Sequence, residues 1–390
     1  MKITEVECIP VSLKYKRPFV MAGGAVEASV GVLVKVHTNE GIVGIGDSGC
    51  ASEWYSGETQ ESLMALITNL YAPQILLGED PFNIEKIIAR MEKAVKNNNQ
   101  SKAVVDYALY DIMGKKLGVP VYKLLGGKSV DKLTLGTIIA TGTPAETTAE
   151  AKNLVKAGYT VLKAKVGFHS EEEDIENMRI IKEAVGPKIT LMMDANGSWN
   201  YYQALRVLKK MEKYDVALCE QPLPWWDVDG LARLRRKVNI PIFPDESATE
   251  FKHLIEIIEK DAADGLFIKV AKAGGILRAK KWVSIAKAAG LSVMCGCMTG
   301  SGFEAAAQGH FLIADEWTSQ FVQENTGPLT MHNVLDTVTV DIKDDLAKKL
   351  PKYENGFMWV PEGPGLGMEL NEEVLAQSIT PGKTAVTVKQ

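Results

Sequence analysis

Residues 160–167 read TVLKAKVG, 189–196 ITLMMDAN, 216–222 VALCEQP, 240–247 IPIFPDES and 265–272 GLFIKVAK. Each is a short apolar run that closes on ionisable residues. Runs of the same kind flank them: KLTLGTIIAT at 132–141, LSVMCGCM at 291–298 and TSQFVQEN at 318–325. Helical patterning separates most of these eight. Fully apolar strands alternating with helices imply a parallel sheet covered on both faces. Eight such units in about 200 residues predict an α/β fold of the (β/α) barrel type rather than an open doubly wound sheet. No G-x-G-x-x-G follows a strand, which weakens a dinucleotide-binding reading.

The grammar upstream is different. SVGVLVKVHTNEGIVGI at 29–45 is two β-rich runs around Thr38-Asn39-Glu40-Gly41, a hairpin in which Gly41 supplies the positive φ. A helical stretch, SKAVVDYALYDIMGKKLG, follows at 101–118 and stops at Gly118-Val119-Pro120. Its Val104, Ala108, Asp111 and Lys115 share one stripe, and Val105, Leu109, Ile112 and Met113 another. The expected division is an α+β domain over 1–128, the barrel over 129–355, and a tail over 356–390 that packs back on the first domain.

At 390 residues the chain exceeds what one hydrophobic core usually supports, in keeping with that division. A hydrophobic fraction of 46% with 24% charged residues excludes a disordered or collagen-like chain. Basic and acidic residues number 44 and 49, so the net charge of -5 offers no footprint for nucleic acid or anionic membrane. No apolar run approaches the roughly 18 residues of a membrane helix, and MKITEVECIP lacks the apolar core of a signal peptide. A cytoplasmic location is expected. The five cysteines are scattered without a CxxC pair and read as reduced packing residues.

The ionisable residues at the run ends carry the functional reading. Lys165, Asp194, Glu220, Asp245 and Lys269 follow one another at steps of 29, 26, 25 and 24 residues, each about one βα unit. In a barrel that spacing sets all five on the C-terminal rim, where barrel enzymes do chemistry. Singly, each has a plainer explanation: Asp194 as a helix N-cap, Glu220-Gln221-Pro222 as a turn, Lys269 as a lysine reaching solvent. Jointly they do not, because burying a charge costs several kcal/mol unless it is paired. Three carboxylates with no His or Cys nearby make an all-oxygen site suited to Mg²⁺, or Mn²⁺ in its place, and not to zinc. Lys163 and Lys165 face the same way, since strand side chains alternate with period two. A lysine base needs its pKa lowered from about 10.4 toward roughly 7 to 8, which the metal and Lys163 are placed to do. Asn196 and Glu246 stand beside the presumed ligands as supporting residues. Metal plus lysines describes removal of a proton α to a carboxylate, the pattern of enolase-type enzymes.

The chain resembles the enolase superfamily, in its muconate lactonizing enzyme (muconate cycloisomerase) subgroup, over nearly its full length. The resemblance rests on AVVDYALYDIMGKKLG at 103–118 with LLGG at 124–127, KAK at 163–165 and DANGSW at 194–199. It continues through EQP at 220–222, DES at 245–247, KVAKAGG at 269–275 and PGLG at 364–367. It implies a barrel modified as in that superfamily, with an N-terminal α+β capping domain. It also implies Lys165 and Lys269 as the acid/base pair, and Asp194, Glu220 and Asp245 as Mg²⁺ ligands. The loop Arg17–Gly24 is then a substrate lid, and Met21, Thr137, Met298, Thr299 and Glu324 are candidate substrate contacts. Self-association as a homo-oligomer is expected from the same resemblance.

Two departures bear on the substrate. Many relatives read CMLES after the seventh strand, whereas this chain has Cys297-Met298-Thr299-Gly300-Ser301-Gly302. At the eighth strand Gln323-Glu324-Asn325-Thr326-Gly327-Pro328-Leu329 lacks the Asp-x-Asp pair of dipeptide epimerases and is closer to muconate cycloisomerases. The implied activity is racemisation, epimerisation or cycloisomerisation of a small carboxylate through a metal-stabilised enediolate. Dehydration of a hydroxy acid through the same intermediate stays open. So do a lysine Schiff-base aldolase and a non-catalytic metal-binding barrel, which belong to other classes.

Overall fold

The computed structural model describes the chain apart from residues 22–23 and 140–141, and the side chains at 19–24 also lie outside the described residues. Two long strands, β1 (Ile3–Met21) and β2 (Gly24–Thr38), form an antiparallel ribbon, and β3 (Val43–Asp47) joins β2 across the expected turn. Gly41 in that turn has φ of 76°. Across the sheet lies the helix Asn99–Leu117, buried throughout from Asn99 to Gly114. Gly44 and Gly46 of β3 permit the approach: a Cβ on either would collide with the helix carbonyls of Ala108 and Val104. Gly118, at φ 66°, stops the helix in the left-handed conformation.

The barrel begins with β4 (Leu133–Thr134) and β5 (Gly136–Ile139). It continues through β6 (Val161–Lys165), β7 (Thr190–Asp194), β8 (Val216–Glu220) and β9 (Ile242–Phe243), all parallel from β5 onward. β10 (Gly265–Ile268) and β11 (Ser292–Cys295) complete the curve. The Phe267 amide donates to the Pro244 carbonyl at 3.0 Å, which joins β10 to the sheet before it. The run expected as the eighth strand is reduced. Thr318–Gln320 is a 3-10 turn, and only Gln323 and Glu324 bridge the gap. Gln323 pairs with Thr134 and Gly136 on one side, and the Glu324 amide donates to Cys295 at 2.7 Å on the other. The Gln323 side chain supplies the missing ladder bonds, accepting from the Cys295 amide at 2.8 Å and donating to Thr318 and Phe321 carbonyls.

Strand alternation sorts the barrel interior into layers. Val161, Met192, Leu218, Phe243, Phe267 and Met294 form a small apolar cluster apart from the main core. Lys163, Asp194, Glu220 and Lys269 each lie two residues further along, so the charged layer sits directly on this plug. Beyond the barrel, β12 (Lys352–Glu354) and β13 (Phe357–Trp359) form a hairpin that pairs with β4. The helix Glu372–Ser378 follows, and β14 (Val386–Lys389) adds to the free edge of β1. Among the described residues no helix is long and apolar enough to cross a membrane.

Buried carboxylates join the two halves. Asp106 accepts the Ile276 and Leu277 amides at the start of the barrel helix Ile276–Ala288. Asp111 accepts from Ile45 and Leu366. Asp47 accepts from the Ser301 amide and hydroxyl at the start of the helix Gly302–Ala314. Burial pushes Asp106 and Glu304 up to about 8 and Asp345 to about 7. A carboxyl whose folded pKa exceeds its unfolded value near 4 stabilises the fold below that unfolded value, and the contribution is lost as pH rises through the folded pKa. The unfolding free energy from urea titration is therefore expected to fall between pH 5.5 and 8.5 by roughly 1 kcal/mol or more, and to fall less in Glu304→Gln. A flat wild-type profile would contradict this account. Asp106→Ala, which strips two helix-terminal amides of their acceptor, is expected to cost about 2–4 kcal/mol in urea unfolding.

Candidate active site

The parallel register sets Lys165 beside Asp194 and Asp194 beside Glu220 at the carboxyl ends of β6, β7 and β8. Asp245 stands two residues past β9, and Lys269 immediately follows β10. The three carboxylates are at most 2% exposed. The chain leaves the strands through left-handed corners at Asn196 and Gln221, with φ of 43° and 34°. Both turn residues have work there. Asn196 Nδ2 donates to Glu246 Oε1 at 2.9 Å, and Gln221 Oε1 accepts the Asp245 and Ser247 amides at 2.9 and 3.1 Å. These bonds hold a backbone conformation that a non-glycine residue adopts only at a cost.

Each carboxylate is bonded to an ammonium. Lys165 Nζ donates to Asp194 Oδ2 at 2.6 Å and to Asn196 Oδ1 at 2.8 Å. Lys163 Nζ lies between Glu220 Oε2 and Glu324 Oε2, at 2.5 and 2.6 Å, and 4.5 Å from the Phe267 ring centroid. Lys269 Nζ donates to Asp245 Oδ2 at 2.9 Å. Lys272 donates to Asp245 Oδ1, to the Asp245 carbonyl at 2.7 Å and to the Phe267 carbonyl at 2.9 Å.

The electrostatics follow from this crowding. Burial and the neighbouring Asp194 and Asp245 charges hold Glu220 well above the carboxylate range, against the pull of Lys163. Burial alone would raise Asp245, but Lys269 and Lys272 hold it well below its ordinary value. The lowered pKa expected from the sequence for a lysine base beside the metal and Lys163 is not seen at Lys269 as it stands. Burial alone would lower both lysines, yet Asp245, Glu220 and Glu246 raise Lys269, and Glu220, Glu324 and Asp194 raise Lys163 well above its usual value. Lys163 is thereby spent on two carboxylates and is not a free cation beside Lys165.

The donors suit a hard divalent cation: oxygen only, from three adjacent strand ends, with mutual repulsion that positive charge would relieve. Among the described residues no three acidic, His or Cys side chains converge on one point as they stand, because each carboxylate is engaged by its lysine. Glu246 Oε2 and Glu324 Oε1 are buried without a partner.

An inner chamber of about 100 Å³ opens over this rim, lined by Lys163, Lys165, Lys269, Met298, Thr299 and Glu324. Thr137 is not on its wall. The register pairs Ile138 with Lys163 and Thr137 with Leu162, so Ile138 faces the chamber and Thr137 the surrounding core. Residues 22–23 and the side chains at 19–24, Met21 among them, lie outside the described residues; the rest of the expected Arg17–Gly24 loop is strand, continuing the β1–β2 ribbon through the pairing of Met21 with Gly24. The Thr299 hydroxyl meets the hydroxyl of Tyr15, a capping-domain residue, at 2.7 Å.

Residues 3–126 match the family described as mandelate racemase / muconate lactonizing enzyme, N-terminal domain, and residues 146–374 match enolase C-terminal domain-like proteins. The chain belongs to this family of the enolase superfamily. It is 32% identical to an N-succinyl-L-Arg/Lys racemase of Bacillus cereus over 97% of its own length and 98% of the relative's. Identity to a muconate cycloisomerase 1 of Acinetobacter baylyi is 30%, over 95% of this chain and 98% of that one. The crystal structure of a mandelate racemase/muconate lactonizing family protein from Azoarcus sp. EbN1 superposes with a TM-score of 0.94 at 47% identity, with both chains fully covered.

For this family member, the residue that sequence reasoning missed most clearly is Tyr55 of the capping domain. Its hydroxyl donates to Asp245 Oδ1 at 2.7 Å, and Lys269 Nζ sits 3.7 Å from its ring centroid. Nothing in Trp54-Tyr55-Ser56 marks it, because the contact spans 190 positions. Lys272 had a signal, the second lysine of KVAK, that was not used. Hydrogen-bond partners of ligating carboxylates typically contribute 10–100-fold to metal affinity. Tyr55→Phe is therefore expected to weaken Mn²⁺ binding, measured by electron paramagnetic resonance, about tenfold, with an unchanged circular dichroism spectrum. Unchanged affinity would reduce Tyr55 to packing.

Proposed function

We propose that the protein is a Mg²⁺-dependent isomerase that removes and returns a proton α to a carboxylate, racemising or epimerising a small amino-acid derivative. The observation that carries this reading is the pairing of two lysines, from strands on either side of the trio, with two different carboxylates of that trio. Asp194, Glu220 and Asp245 would hold Mg²⁺, or Mn²⁺ in its place. Bound there, the ion supplies positive charge where negative charge develops on the substrate carboxylate.

The chain's own groups do the rest. Lys165, fixed by Asn196, and Lys269, fixed by Tyr55, face the inner chamber from opposite sides. One takes the α-proton and the other delivers a proton to the opposite face. A lysine accepts a proton only as the neutral amine, and the Asp245 carboxylate keeps Lys269 charged. A divalent cation held at Asp245 would offset that attraction, the change Lys269 needs in order to serve as a general base. The plug of Phe243, Phe267 and Met294 closes the barrel beneath and excludes water from that side. Lys163, shared between Glu220 and Glu324, offsets part of their charge and so lessens their repulsion of an anionic substrate.

The racemase of Bacillus cereus supports an N-acylated amino acid as substrate class, and the muconate cycloisomerase supports cycloisomerisation as the second reading, with Glu324 preceding Gly327-Pro328-Leu329 in its favour. Deuterium exchange at the α-carbon in D₂O, followed by NMR across N-acyl amino acids, proline derivatives, muconate and short hydroxy acids, separates them. Mg²⁺-dependent exchange with inversion is expected for an N-acyl amino acid. Ring closure of muconate or loss of water from a hydroxy acid would transfer the assignment. Lys165→Ala and Lys269→Ala should each reduce inversion by about 10²–10⁴-fold, whereas a one-base reaction tolerates one of the two losses. Asp245→Asn is expected to fold and to lose Mn²⁺ binding. If it unfolds instead, the carboxylate is structural and the proposal fails.

A further inference from the structure

One wall of the inner chamber is made by Gly296, Cys297, Met298 and Thr299, which follow β11. Lys269 rests on it. A Cβ on Gly296 would stand 3.1 Å from Lys269 Cε, and the Tyr55 ring covers the ammonium from the capping side. The far end of that wall is strained: Thr299 has a φ of 51°. A β-branched residue enters the left-handed region at a cost and stays there only where its surroundings enforce it.

The enforcement comes from the capping domain. The Thr299 hydroxyl bonds the Met298 carbonyl at 2.8 Å and the Tyr15 hydroxyl at 2.7 Å. A carbonyl can only accept, so the Thr299 proton goes to Met298 and Tyr15 is the donor to Thr299. The Ser29 hydroxyl bonds Tyr15 in turn. The Cys50 amide reaches the same Met298 carbonyl at 2.8 Å. Tyr15 is buried, and that burial pushes its phenol above its ordinary value, which keeps the donated proton in place. The ribbon accounts for the aim of the side chain. β1 and β2 pair in register as far as Lys14 and Ala28, then break, and pair again at Phe19 and Val26. Five positions on β1 (14 to 19) thus answer two on β2 (28 to 26). Tyr15 is the first residue past the regular ladder, where strand alternation no longer dictates its face.

We propose that Tyr15 is a positioning residue: its bond to Thr299 holds the Gly296–Thr299 wall in the form on which Lys269 lies, and so aims that lysine into the chamber. The proposal rests on the reading of Lys269 as one of two proton-transfer groups, and it adds a residue of the other domain that sets the lysine's place through the wall. Without the bond, Thr299 relieves its strain by turning to negative φ. That turn tilts the backbone from Met298 back to Gly296 and moves the surface beneath the lysine. Proton transfer is sensitive to such a shift, since a misplacement of about 1 Å can cost 10²-fold in rate.

Crystal structures and kinetics of the full chain test this together. In Tyr15→Phe, Thr299 is expected to leave the left-handed region and Lys269 Nζ to shift by about 1 Å against Asp245. Deuterium exchange at the α-carbon, with Mg²⁺ and N-succinyl amino acids of both hands, should fall about tenfold for the enantiomer whose α-proton faces Lys269. KM should change little, and exchange of the enantiomer facing Lys165 should persist. Glycine takes the left-handed conformation unaided. Tyr15→Phe should therefore cost less than about threefold in a Thr299→Gly background. A packing role would instead cost both enantiomers equally, and as much in either background. Thr299→Val removes the same bond from the other side, should show the same one-handed loss, and serves if Tyr15→Phe does not fold. Unmoved Thr299 and Lys269, equal loss for both enantiomers, or an undiminished cost beside Thr299→Gly would overturn the proposal. If Thr299 and Lys269 move as expected but the wild type exchanges no N-succinyl amino acid, the positioning stands and the assigned reaction falls. Exchange in the wild type with an unmoved Lys269 in Tyr15→Phe does the reverse.

Discussion

Putting three carboxylates at one level of a closed barrel is the constraint from which most of this molecule follows. In the interior, like charges a few ångströms apart cannot all stay ionised without cations among them. The protein meets that condition with lysines taken from strands on both sides of the trio, so the groups that neutralise the acids are also the groups able to move protons. The apolar plug one layer below keeps water from screening these pairs. The two left-handed corners and the hydrogen bonds of Asn196 and Gln221 then hold the carboxylates at a common height. Neutralisation, desolvation and aim are solved by the same few residues.

A second consequence concerns the joint between the domains. The helix Asn99–Leu117 is buried on every side because a sheet covers one face and the barrel another. Its Asp106 and Asp111 reach outward to backbone amides of both. Asp47 does the same from β3, at the start of the helix that follows the pocket floor of Met298 and Thr299. The capping domain is therefore fastened by directional bonds at helix ends and not by apolar contact alone. That fastening fixes where Tyr55 and Tyr15 enter the barrel mouth, so side chains of one domain are registered against the charged rim of the other.

The barrel and its charged rim were legible because strand spacing and ionisable run ends are local signals, repeated at nearly constant intervals. Lys165, Asp194, Glu220, Asp245 and Lys269 could be read from that repetition. Thr137 was misjudged by one residue, and in a strand one residue reverses the face. The eighth run was apolar enough to suggest a full strand, but the Gln323 side chain replaces most of the ladder. Tyr55 had no signature at all, because its contact arises where segments far apart in the chain meet. The direction of the lysine pKa values was also beyond the sequence, since it depends on which carboxylate each ammonium touches.

The strand β14 lends the capping sheet its outer edge, and it pairs residue 389 with residue 5. During synthesis the amino-terminal sheet is made first, yet that edge stays bare until the whole barrel has emerged. Contacts of such long range form slowly, and an unpaired strand edge attracts other chains while it waits. The capping sheet is thus begun before the barrel and completed after it, and the barrel must fold beneath an unfinished cap.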